Sequence, residues 1–204
     1  MKNILLTSYF AGTAKQFQQF MANQNVSAKN ILFIDTASKV EDYTGYIDEA
    51  YETLFNLDYH VDTLDIASSD DETSRHQIQH AEIIFIAGGN TFYLLENIKS
   101  KNLDQLLIDK INTGTPYIGE SAGAIILSPD ITYVKTMDDP KLAPNLETYT
   151  GLGVTQFSTL PHYLDTPFEN ETNDIFKSYH DTIDLIPINN EETATILNDE
   201  FIKP

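Results

Sequence analysis

Thr115-Pro116-Tyr117-Ile118-Gly119-Glu120-Ser121-Ala122-Gly123-Ala124-Ile125-Ile126-Leu127 decides how this chain reads. A short apolar run opened by Pro and Tyr predicts a buried strand. Gly-Glu-Ser-Ala-Gly follows at once, and then an Ala/Ile/Leu run suited to a helix facing a core. Strand, sharp turn and helix with a serine at the apex is the context of a nucleophile elbow. Gly119 and Gly123 suit a crowded turn, where a side chain pushes neighbouring backbone away. The helix start leaves unpaired N–H groups beside Ser121, and these can stabilise developing negative charge. The plainer alternative is tight strand–helix packing with Ser121 as an N-cap.

On both sides of this stretch the pattern repeats. Asn3–Ser8 and Lys29–Asp35 are continuous apolar runs, as expected of strands covered on both faces. Tyr59–Leu64 and Glu82–Ala87 read as the next two strands. Helical spacing is predicted over Thr13–Asn25, Tyr43–Asn56, the residues after Gly88-Gly89-Asn90-Thr91-Phe92 to about Ser100, and Leu103–Asn112. Strands alternating with helices predict a three-layer α/β sandwich with a mostly parallel central sheet, in one domain spanning residues 1–204. Beyond Pro129 the pattern loosens. Lys135–Gly153 reads as loop, Val154–Leu160 as strand and Phe168–His180 as helix, with Ile183–Ile188 and Thr193–Leu197 a closing pair of strands.

Composition narrows the function classes. Twelve Lys and Arg against 31 Asp and Glu give a net charge of −19, which repels phosphate backbones and anionic lipid. Neither nucleic acid nor a membrane is therefore an expected partner. No apolar run reaches the length of a membrane span and no signal-peptide pattern opens the chain, so a cytoplasmic protein is expected. The chain has no cysteine, which excludes disulfides, thiolate metal sites and a thiol nucleophile. Arg75 is the only arginine, hence the one guanidinium available to grip a carboxylate in two-pronged fashion.

A serine hydroxyl needs a base to accept its proton. Of five histidines, His162 in Thr159-Leu160-Pro161-His162-Tyr163 follows a predicted strand, and sites in open α/β sheets gather at the carboxyl ends of strands. His60 lies within a strand, and His180 ends a helix where a cation complements the dipole. His76 and His80 share a helix face but lack the glutamate of a zinc-binding His-Glu-x-x-His, so no metal is expected. The acid that orients the base has candidates in Asp138 and Asp139, in a loop, and in Glu191 and Glu192, in a turn between late strands. Gly88-Gly89-Asn90-Thr91-Phe92 follows a strand and opens a helix. Its backbone N–H groups suit an oxyanion hole better than a phosphate cradle, since the P-loop lysine is missing, and Asn90 suits a helix N-cap.

Ala87-Gly88-Gly89-Asn90-Thr91-Phe92, Gly119-Glu120-Ser121-Ala122-Gly123-Ala124 and Leu160-Pro161-His162-Tyr163, in this order, resemble the peptidase E family. That family of serine dipeptidases includes cyanophycinases and is similar in fold to the class I glutamine amidotransferases, a flavodoxin-like topology. The resemblance implies Ser121 as nucleophile, His162 as general base, and N–H groups near Gly89 and of Ala122 as oxyanion hole. It implies no cofactor, a small peptide as substrate, and leaves a homodimer open. For the acid it points to Asp138, in Met137-Asp138-Asp139-Pro140, or to Glu191, in Asn190-Glu191-Glu192-Thr193-Ala194. A turn between two strands is the firmer mount, which favours Glu191. Asn90 and Asn173 fall at substrate-binding positions. Asn173 stands where aspartyl dipeptidases of the family carry an arginine, and an amide cannot replace the paired bonds of a guanidinium. A strict preference for N-terminal aspartate is thus not implied. The alternatives are a ligand-binding protein that keeps the fold without catalysis, and an esterase sharing Gly-x-Ser-x-Gly.

Overall fold

The computed structural model describes residues 1–23 and 27–202. Its central sheet takes strands β1 (Asn3–Thr7), β2 (Asn30–Ile34), β3 (His60–Leu64), β4 (Ile84–Ile86) and β5 (Tyr117–Glu120), all paired in parallel. Two later strands, β8 (Thr193–Leu197) and β9 (Glu200–Ile202), extend it antiparallel beside β1, giving the order β3-β2-β4-β5-β1-β8-β9. β6 (Ser158–Leu160) and β7 (Leu185–Pro187) form a separate parallel pair.

Side chains alternate across a strand, so each apolar run feeds two cores. On β1, Ile4 and Leu6 point into one and Leu5 into the other. The Leu5 side holds Phe33, Phe85 and Ile118 under α1 (Ala14–Ala22) and α2 (Gly45–Asn56), which bury Phe17, Phe20, Ile47 and Leu54. Phe85 meets Phe10 edge-on at 4.8 Å and stacks on Phe33 at 4.6 Å. Burying each such ring stabilises the fold by about 2–3 kcal/mol. The opposite core holds Ile84, Ile86 and Tyr117 beneath helices that include α4 (Thr91–Ser100), α5 (Asp104–Asn112) and α6 (Ala122–Ile125). The three layers are those expected from the sequence.

α3 (Asp71–His80) starts on Asp70, whose side chain accepts a hydrogen bond from Thr73 N, and it places the His76 and His80 rings 4.2 Å apart. α7 (Glu169–Tyr179) is likewise close to its predicted span. The predicted first helix ends at Ala22, and its expected last residues, Gln24 and Asn25, lie outside the described residues. The late strands differ from expectation. Ile183–Ile188 and Thr193–Leu197 are not partners: β7 pairs with β6, whereas β8 joins β1 and turns back into the unforeseen β9. Among the described residues no helix is long and apolar enough to cross a membrane.

This topology sets the site. β4, β5 and β1 are neighbours, so Gly88-Gly89, Ser121 and Ser8 leave the sheet side by side at its carboxyl edge. Because β8 runs antiparallel to β1, with Thr193 opposite Thr7, the turn before it reaches the same edge.

Candidate active site

Ser121 sits between β5 and α6 with φ 47° and ψ −105°, a left-handed backbone that a non-glycine residue holds only when its surroundings enforce it. The enforcement is visible. Ser121 N donates to Thr7 O at 2.9 Å, and Ser121 O accepts from Ala124 N and Ile125 N. Tyr117, fully buried, donates its hydroxyl to Gly123 O at 2.6 Å. A Cβ on Gly123 would lie 2.1 Å from Ile86 O, and one on Gly119 2.5 Å from Gly123 O. Both glycines are required by close approach of backbone.

His162, in the loop after β6, brings Nε2 to 3.0 Å from Ser121 Oγ. Its own φ is 57°, and the loop is tied by Asp165 N donating to His162 O at 3.0 Å and by Tyr163 N donating to Ile188 O at 3.1 Å. The other ring nitrogen, Nδ1, lies 3.0 Å from Asn190 Oδ1 and 3.0 Å from Ser8 Oγ. Ser8 Oγ accepts from His162 N at 2.7 Å and donates to Asn190 Oδ1 at 2.7 Å. With its proton given to Asn190, Ser8 leaves Nδ1 facing two oxygens, so the proton belongs on Nδ1. The Nε2 lone pair is then free for the serine hydroxyl. Burial holds the His162 pKa below the usual histidine value, opposed by the Asn190 hydrogen bond and the Asp165 carboxylate.

Neither acid expected for this role reaches the ring. Glu191 is exposed. Its N–H donates to Asn189 Oδ1 and its carbonyl accepts from Gln16 Nε2, while the preceding residue turns inward. Asp138 instead accepts from Thr91 N at 2.9 Å, at the start of α4, and burial pushes its carboxyl up to about 6. Asp139 N-caps a short 3₁₀ turn at Pro140–Leu142, and Glu192 accepts from Asn189 N. The position opposite Nδ1 belongs to Asn190, an amide, with Asp165 behind it accepting Asn190 N at 2.6 Å. Asn190, Ser8 and Asp165 escaped the sequence reading. Asn190 is one residue from the favoured Glu191, and Ser8 lies at the carboxyl end of a parallel strand, where such residues collect.

Gly89, at φ 128°, passes so close to Ala37 that a Cβ would meet its backbone at 2.3 Å. The Gly89 and Ala122 N–H groups have no acceptor among the described residues, which leaves both available to an oxyanion. Glu120, 2 % exposed, braces this arrangement: it accepts from Phe10 N at 2.8 Å and Gly88 N at 3.4 Å, and burial raises its pKa to about 7. Asn90 caps α4 through Tyr93 N at 2.9 Å and donates to Asp139 O at 3.2 Å. Ser121, His162, Gly89, Asn90 and Asp138 all line one cavity of about 590 Å³, and the expected Ala122, Glu191 and Asn173 do not; Thr166, Pro167 and Phe168 do. Among the described residues no three His, Asp or Glu side chains converge to hold a metal ion.

The model of peptidase family S51 matches residues 4–203. The chain belongs to peptidase family S51. An uncharacterized peptidase of Listeria monocytogenes is 41% identical over 202 residues, covering 99% of this chain and 98% of that one. A peptidase E of Nostoc sp. is 28% identical over 179 residues, 85% of this chain and 70% of its own. A crystal structure from Listeria monocytogenes EGD-e, described as a candidate peptidase E, superposes with a TM-score of 0.92 at 39% identity, covering 99% and 97% of the two chains. The S51 assignment agrees with the resemblance drawn from the glycine loop, the elbow and the histidine segment.

Proposed function

We propose that this S51 member is a serine peptidase that cleaves short peptides, dipeptides among them, through an acyl-enzyme on Ser121. The observation that carries this reading is the 3.0 Å approach of His162 Nε2 to the Ser121 hydroxyl at a strained turn. In this mechanism His162 takes the hydroxyl proton as Oγ attacks the scissile carbonyl. The Gly89 and Ala122 N–H groups receive the negative charge that develops on the carbonyl oxygen. The imidazolium then hands its proton to the departing amine, and water, activated by the same ring, releases the acyl group. Asn190 and Ser8 hold the ring in its tautomer throughout. A cavity of about 590 Å³ is within the ordinary range for a small ligand and suits short substrates.

The test is a dipeptide panel with the wild-type chain and Ser121→Ala, alongside labelling by a fluorophosphonate. Release of free amino acids and labelling, both lost in Ser121→Ala, support the reading. Turnover that persists undiminished in Ser121→Ala refutes it.

A further inference from the structure

The wall of the Ser121 cavity carries one sign of charge. Five carboxyl groups line it, from Glu41, Glu49, Glu120, Asp138 and Asp139, and no Lys or Arg does. Glu120, raised to about 7 by burial, is only partly ionised near neutral pH, so the charge rests mainly on the other four. The hydrogen bonds these carboxyls make are to neutral donors: Tyr9 Oη to Glu49 at 2.7 Å, Thr91 N to Asp138, Lys141 N to Asp139, and Phe10 N and Gly88 N to Glu120. Lys39 and Arg75 are engaged elsewhere, whereas Lys141, between the lining residues Asp139 and Leu142, is exposed and its ammonium has no partner among the described residues. Lys39 bridges to Asp35 at 2.7 Å, and Arg75, the lone guanidinium, donates to the Lys101 and Asn102 carbonyls from α3.

A second observation concerns Tyr46. Its hydroxyl is fully buried and has no partner among the described residues, and its ring packs 3.5 Å from where a Cβ on Gly88 would stand. Tyr43 and Phe168 line the same cavity, and Tyr43 is 69% exposed at its rim. Aromatic faces beside carboxylates are the usual surroundings of an organic ammonium. A carboxylate brought to the same place would meet like charge with no guanidinium to compensate.

We propose that the cavity selects peptides by positive charge, admitting an ammonium group on the residue whose carbonyl Ser121 attacks and rejecting an acidic side chain there. The ammonium is that of a lysine side chain, since the free α-amino group is common to every dipeptide and cannot discriminate among them. This proposal rests on the reading of Ser121 and His162 as the hydrolytic pair and names the substrate class of that site. It runs against the N-terminal aspartate preference of aspartyl dipeptidases.

Calorimetric titration of Ser121→Ala with Lys-Leu, Ala-Leu, Asp-Leu and N-acetyl-Lys-Leu reads the selection directly. Lys-Leu is expected to bind about tenfold tighter than Ala-Leu, with Asp-Leu weakest, and the spread should shrink as ionic strength rises. N-acetyl-Lys-Leu, which keeps only the side-chain ammonium, should still bind, and Lys-Leu binding no tighter than Ala-Leu overturns the proposal. In the wild-type chain, kcat/KM should follow the same order, and Glu41→Gln and Glu49→Gln should narrow it. Asp-Leu equal to or better than Lys-Leu in binding or turnover overturns the proposal while leaving the peptidase intact. Ordered binding without hydrolysis by the wild type sinks the peptidase reading and leaves the charge selection standing. Neither binding nor turnover of Lys-Leu overturns both.

Discussion

His162 Nδ1 faces the side-chain oxygen of Asn190 at 3.0 Å, where a hydrolytic triad ordinarily places a carboxylate. The pair is neutral, so it fixes the ring's tautomer and orientation without strongly favouring the imidazolium. The nearest carboxylate acting on the ring is Asp165, one hydrogen bond further back on Asn190 N at 2.6 Å. Orientation and charge are thus divided between two residues.

That division makes Asn190 and its acidic replacement separable. Asn190→Ala removes the Nδ1 acceptor, leaving only Ser8 Oγ, and should lower kcat by about a hundredfold with little change in KM. Asn190→Asp restores an acceptor and adds a charge, so it should recover much of that loss and raise the His162 pKa. Steady-state kinetics of the two variants decide the matter; equal kcat for wild type and Asn190→Ala contradicts the orienting role.

Asp165 should act on the pH profile. Burial places the His162 pKa below 6.5, so the acid limb of kcat/KM falls below that value in the wild type. The Asp165 carboxylate favours the charged ring, and Asp165→Asn should therefore move the limb to still lower pH. Titration of the His162 ring by NMR gives the same shift independently. A limb that stays put or rises rules out the electrostatic coupling.

How much of this was legible beforehand follows from what each residue's role depends on. Ser121 and Gly123 are defined by neighbours in the chain, since the elbow is a local turn, and their motif is readable in one stretch. His162 follows a predicted strand, but that strand pairs with β7 apart from the central sheet, and it is the loop after it that carries the ring to Ser121. The residue opposite Nδ1 depends instead on the rotation of a turn entering β8, and a shift of one residue exchanges the exposed Glu191 for the inward Asn190. The pairing of β8 with β1 decides that rotation, and it joins residues nearly two hundred positions apart. Periodicity within a strand cannot register such a pairing. Asp138 drew attention as an acid in a loop, and its destination at Thr91 N is equally non-local.

The elbow glycines are sensitive points of the fold. Gly123→Ala puts a methyl group 2.1 Å from Ile86 O, which is backbone of a buried strand and cannot swing aside. A loss of about 3 kcal/mol or more is expected, seen as a lowered Tm or an insoluble chain. Gly153, whose Cβ would meet nothing within 4 Å but whose φ is 61°, should cost only about 1 kcal/mol when replaced by Ala. Thermal melts of the two variants that coincide would show that the close approach at Gly123 is readily relieved.

Glu120 should make stability fall as pH rises. Burial lifts its carboxyl from 4.5 in the unfolded chain to about 7 in the folded one, so the native state keeps a proton that the unfolded state has released. Stability contributed by this group is complete below about pH 4.5 and is lost progressively up to about pH 7, by at most about 3 kcal/mol. Glu120→Gln mimics the protonated acid at constant shape and cannot ionise. It should match the wild type near pH 5 and exceed it near pH 8, because the wild type there buries a carboxylate with only two backbone donors, Phe10 N and Gly88 N. Urea unfolding of both chains across pH 5 to 8 measures the difference, with other titrating groups cancelling between them. Two stability curves that run parallel over this range would mean that Glu120 is already ionised in the fold at pH 5. In that case its bonds to Phe10 and Gly88 outweigh the cost of burying the charge.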